Sequence, residues 1–138
     1  MTDAPLVEKK LAQIDTCVEE LRRLAKPGDL DRDVRERRFV EHTLQLAIQA
    51  ALDVASHIAS DERLGEPRTN RELFELLERA GWIAAPLAAS LRNMAGFRNI
   101  LVHGYDDVDL GVVKDILSRH LGDLTSFTSA IRERLQPS

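Results

Sequence analysis

Residues Leu44 to Ile58 read LQLAIQAALDVASHI, and this stretch decides the fold. Together with Val40 just before it, Leu44, Ala47, Ile48, Ala51, Ala55 and Ile58 recur mostly at steps of three and four, the spacing that lines side chains along one face of an α-helix. Leu46, Leu52 and Val54 widen that stripe into a broad apolar arc. The pattern predicts a helix from about Asp33 to Ala59. A helix apolar around so much of its circumference must be central to its fold or covered by a partner chain.

Working outward, the same periodicity recurs on both sides. Val7, Leu11, Ile14, Val18, Leu21 and Ala25 form one stripe of a first helix, which Pro27-Gly28 should end. After a loop from Ser60 to Arg68 containing Gly65 and Pro67, Thr69 and Glu72 have the spacing of a capping box for a short third helix through Leu73, Leu76 and Leu77, closed by Gly81. Pro86 suits the first turn of a fourth helix, with Leu87, Leu91, Met94, Ala95 and Leu101 on its buried face. A last helix should begin near Asp109 and carry Val113, Leu117, Leu121, Leu124, Phe127, Ile131 and Leu135. No stretch alternates with the period of a strand. The expected fold is all-α, an up-and-down helical bundle of about five helices in a single domain spanning residues 1–138.

Composition narrows the function. Hydrophobic residues make up 43% and charged residues 30% of the 138, ordinary usage for a globular chain. The apolar runs fall short of the roughly 20 residues a bilayer crossing needs, and MTDAPLVEKK has no apolar signal core. No membrane association and a cytoplasmic location are therefore expected. Cys17, the single cysteine, allows no internal disulfide and reads as a small core residue. A net charge of −4 argues against nucleic-acid binding over the whole surface, so any RNA contact must be local. The densest basic run, Arg32 to Arg38, is interleaved with Asp33 and Glu36 and reads as a solvated helix face with i,i+3 and i,i+4 pairs.

Helical regularity breaks at Phe97 to Asp107, FRNILVHGYDD. Gly104 and the two aspartates should end or sharply bend the fourth helix, leaving His103 and Tyr105 at a terminus. Arg98 offers a cationic fork for a phosphodiester. His103 offers an imidazole, the side chain that titrates near neutrality, to move a proton between ribose hydroxyl and leaving oxygen. Asn99 could orient the phosphate or cap the helix, and Tyr105 places a phenol two residues past the histidine. On an unbroken helix, however, Arg98 and His103 stand about 140° apart. Either the turn at Gly104 swings His103 back, or each residue finds its partner on a second subunit. The ordinary alternative is an Arg98 salt bridge, a His103 cap and a Tyr105 that covers core. Elsewhere, Asp53 and His57 are spaced as a carboxylate–histidine pair, while His42 and His120 have no second ligand at metal-site spacing. Nucleotide-binding loops, the nucleophile elbow and HExxH have no match, so no cofactor and no metal are expected.

This pattern resembles the HepT-like proteins of the HEPN superfamily, whose mark is an Arg-Asn pair, a His four residues after the Asn and a Tyr two beyond it: here Arg98, Asn99, His103 and Tyr105. The likeness extends over LQLAIQAALDVASHI, PRTNRELFELLERAGWI (Pro67 to Ile83), LRNMAGFRNILVHGYDDVD (Leu91 to Asp109) and the closing helix. The resemblance implies a HEPN-like bundle that forms a homodimer through the motif region, with a composite RNA-cleaving cleft. The implied activity is that of a metal-independent endoribonuclease, the toxin of a toxin–antitoxin pair, with Arg98 and His103 catalytic and Asn99 and Tyr105 supporting. It also implies a partner, a minimal nucleotidyltransferase antitoxin of the MntA type that silences the toxin by AMPylation of Tyr105. A non-catalytic helical module that partners such a nucleotidyltransferase is the competing reading of the same residues.

Overall fold

A computed structural model describes residues 2–104 and 108–136 of the chain. Among them every regular element is helical: α1 (Ala4–Leu24), α2 (Val34–Asp61), α3 (Asn70–Arg79), α4 (Ala85–His103), α5 (Leu110–Asp115) and α6 (Leu121–Leu135), with a 3₁₀ turn at Pro27–Asp29 and a π-helical turn at Ile116–His120 joining α5 to α6. No helix among the described residues is long and apolar enough to cross a membrane.

The starts are set by short polar side chains. Asp3 accepts from the Leu6 N–H, Asp33 from Arg35 and Glu36, and Asp109 from Gly111, each satisfying amides that a helix start leaves without partners. Thr69 differs from the expected capping box. Its hydroxyl makes no cap, and the Glu72 carboxylate reaches past it to the Arg68 N–H at 2.8 Å. α1 stops at Leu24, before Pro27, because the residue ahead of a proline is pushed out of the helical region. Gly81 closes α3 with φ +81°, its N–H bonded to Glu78 O and that of Trp82 to Leu77 O, the paired bonds of a Schellman ending.

α2 is the central element, packed by α1, α3, α4 and α6. That accounts for its wide apolar arc: Leu52 and Val54 are buried inside the chain, and of the three flanking residues only Leu46 stays exposed. The second explanation, a covering partner, is not needed for this helix. Cys17 is buried with the core, and burial pushes its thiol pKa up. Phe74 of α3 and Phe127 of α6 meet edge to face, ring centroids 5.9 Å apart. α6 is tied to α1 by Arg132, which donates to Glu8 and to Asp15 at 2.6 Å.

The last helical run departs from the expected uniform spacing. Its core-facing residues are Val113, Ile116, Leu121, Leu124, Phe127 and Ile131, while Leu117 is only partly buried. Five residues separate Ile116 from Leu121, a step that only a π turn keeps on one face.

Candidate active site

α4 carries the motif. It remains helical through His103, and Gly104 follows as the C-cap, its N–H donating to Ile100 O at 2.8 Å. The turn therefore comes after His103 and does not swing it back. Regular helix between Arg98 and His103 leaves them about 140° apart around the axis, so within one chain they face different directions. Tyr105, Asp106 and Asp107 lie outside the described residues.

Arg98 is half-buried. Its Nη1 donates to the Asn99 side-chain oxygen at 3.2 Å, while its buried Nε has no hydrogen-bond partner among the described residues. Among the described residues no carboxylate pairs with it. A buried donor without an acceptor is costly. A guanidinium held by a neutral amide, with donors to spare, is suited to an anion such as a phosphodiester. Asn99, exposed, thus braces Arg98 rather than capping the helix. His103 is exposed at the last position of α4, free to meet a large substrate. On its side of α4 lie Gly96, Asn99 and the exposed Ile100.

Other histidines take structural places. His57 pairs with Asp61 at 3.0 Å, not with Asp53, which instead accepts from Gln49 and Lys10. Asp53 and Asp61 both lie four residues from His57, and spacing cannot choose between them. His120 bridges Asp123 (2.9 Å) and Asp115 (3.2 Å), and Ser90 Oγ donates to Asp123 at 2.6 Å. Spacing gives no sign of this clamp, since Asp115 and His120 meet only because the π turn brings residues five apart onto one face. Among the described residues no group of His, Cys, Asp and Glu is arranged to hold a metal ion.

Two arginines of the basic run are engaged locally, while Arg35 and Arg38 are exposed. Arg32 pairs with Asp29 at 2.9 Å, Arg37 donates to the carbonyls of Leu30 and Asp31, and Glu36 accepts from the Lys26 N–H. Its partners lie mostly in the preceding loop rather than within the run.

A helical bundle that carries on one helix an arginine with no carboxylate partner among the described residues and a terminal, exposed histidine defines a class of protein whose candidate chemistry is proton transfer beside an anion. The chain belongs to the ribonuclease HepT-like family, whose model matches residues 14–131. It is 31% identical over 128 residues to the mRNA nuclease HepT of Shewanella oneidensis, covering 92% of this chain and 96% of that protein. It is 32% identical over 106 residues to the tRNA nuclease HepT of Aphanizomenon flos-aquae, covering 75% and 72%. The structure of the tri-AMPylated Shewanella oneidensis HEPN toxin in complex with MNT antitoxin superposes with a TM-score of 0.87 at 30% identity, covering 96% of this chain and 99% of that one. The HEPN-like helical fold expected from sequence is therefore the fold of this chain.

Proposed function

We propose that this protein is the ribonuclease toxin of a toxin–antitoxin pair and that it cleaves RNA without a metal. The observation that carries the reading is Arg98: a half-buried guanidinium whose buried Nε has no acceptor among the described residues, on the same helix as an exposed histidine. In this reading His103 takes the proton from a ribose 2′-hydroxyl, and the 2′-oxygen attacks the adjacent phosphorus. The 5′-oxygen leaves with a proton returned by an imidazolium, and a 2′,3′-cyclic phosphate remains. Arg98 holds the phosphate and offsets the charge that grows on its oxygens. Asn99 keeps the fork in place. Because α4 sends Arg98 and His103 to different sides, the working pair comes from two chains of a homodimer.

The nucleases named among the relatives and the AMPylated toxin bound to its antitoxin support this reading, as does the motif itself. By the same likeness, a nucleotidyltransferase antitoxin is the partner and Tyr105 is the residue it modifies. The decisive experiment incubates purified protein with RNA in EDTA. Cleavage that persists and leaves 2′,3′-cyclic ends is expected, and a requirement for added Mg²⁺ or Zn²⁺ would overturn the mechanism.

A further inference from the structure

The His103 side of α4 has no arginine of its own that is free to hold RNA. One turn before Gly96, Arg92 lies on this side, but it is engaged by Glu78 at 3.3 Å and Glu75 at 4.0 Å. A different arginine reaches in from α3. Arg71 lies over Gly96, so close that a methyl group added to this glycine would stand 3.8 Å from its Nη1. Arg71 is exposed. The carboxylate one turn along its own helix, Glu75, faces Arg79 and Arg92 instead. Gly96 leaves α4 bare at this point, and the face continues through Asn99 to His103.

We propose that Arg71 is a second phosphate-binding residue of this site, one that holds the RNA strand beside the scissile bond. The inference rests on the ribonuclease reading and deepens it. Seven residues of helix, about 10.5 Å of rise, separate Gly96 from His103. An arginine at Gly96 is therefore too far from the imidazole to touch the phosphate being cleaved, and is placed for a flanking phosphate of the same strand. Arg98 serves the reacting phosphate and Arg71 the strand, so removing each should have a different kinetic signature. In a chain of net charge −4, such local cations are what concentrate RNA at one place.

The test measures binding of a fluorescein-labelled 2′-O-methyl oligoribonucleotide, which lacks the nucleophile and cannot be cleaved, alongside cleavage of the matching RNA. Arg71→Ala should weaken binding about tenfold and reduce the slope of log affinity against log salt by about 0.7, the value for one lost single-strand phosphate contact. The loss should fall on KM more than on kcat. Arg71→Lys should recover most of the affinity, and Arg79→Ala, on the same helix, should leave binding unchanged. Unaltered affinity and salt slope in Arg71→Ala, with wild-type protein still cleaving, would overturn this role and leave the ribonuclease reading standing. A loss in kcat alone would overturn it too. Wild-type protein that neither binds nor cleaves RNA would sink the ribonuclease reading, and this inference with it.

Discussion

Arg98 and Asn99 are neighbours in sequence, and the structure makes them a unit: the amide oxygen of one holds the guanidinium of the other at 3.2 Å. Under the proposed mechanism this orders the effects of substitution. Arg98→Ala should lower RNA cleavage by roughly 10²-fold or more, the usual loss for a group that stabilises transition-state charge, and His103→Ala by a similar factor. Arg98→Lys should recover little, because a lysine has neither the fork nor the planar geometry. Asn99→Ala should cost less than either, since it only braces the fork. Cleavage rates of the four variants at equal concentration check the order, and wild-type rates for both Arg98→Ala and His103→Ala would reduce the motif to a structural role. Tyr105 carries the control prediction. Co-expression with a cognate nucleotidyltransferase should attach AMP to Tyr105, detected by mass spectrometry, and Tyr105→Phe should escape silencing. An antitoxin that silences the Phe variant equally would contradict it. At this scale the sequence showed which residue types sit near one another, and the family pattern singled out four of them. It did not show hydrogen-bond partners: the choice between Asp53 and Asp61 for His57 depends on side-chain geometry that spacing leaves open.

The elements show where spacing is informative and where it misleads. Arg98 and His103 are five residues apart, as are Asp115 and His120. On the regular turn of α4 the first pair diverges, whereas the π turn at Ile116–His120 brings the second pair to 3.2 Å. A reading that assumes 3.6 residues per turn gets the first pair right and misses the second. Helix ends make a similar contrast. α3 ends on Gly81 at φ +81°, while α2 closes with the same pair of bonds around Arg63 at φ +54°, Arg63 N–H to Ser60 O and Leu64 N–H to Ala59 O. Gly81 was legible as a stop because glycine adopts this conformation without a steric cost. The apolar pattern places the end of α2 at Ala59, two residues short of Asp61, because Arg63 carries no such signal. Gly81→Ala should therefore destabilise the fold by about 1 kcal/mol, and Arg63→Gly should stabilise it by about 0.5–1 kcal/mol. Chemical denaturation of both variants checks this, and shifts of the same sign would contradict the assignment of these endings.

For the whole molecule, the order of the helices and most of the core were legible, because amphipathic stripes bury themselves in a bundle much as they read. The centrality of α2 could not be separated from a partner-covered face until the packing by α1, α3, α4 and α6 was seen. That packing removes one argument for a dimer and leaves the other stronger. α4 runs unbroken to His103, so under the proposed mechanism a site using both Arg98 and His103 draws them from two chains. The most direct measurement of this claim mixes two inactive variants, Arg98→Ala and His103→Ala, under conditions where subunits exchange. If the site is shared across a two-fold axis, a mixed dimer has one site with both substitutions and one with neither, and random exchange restores about a quarter of wild-type cleavage. If each chain supplies its own Arg98 and His103, no mixture contains an intact site, and activity that stays at the level of the separate variants would contradict the account.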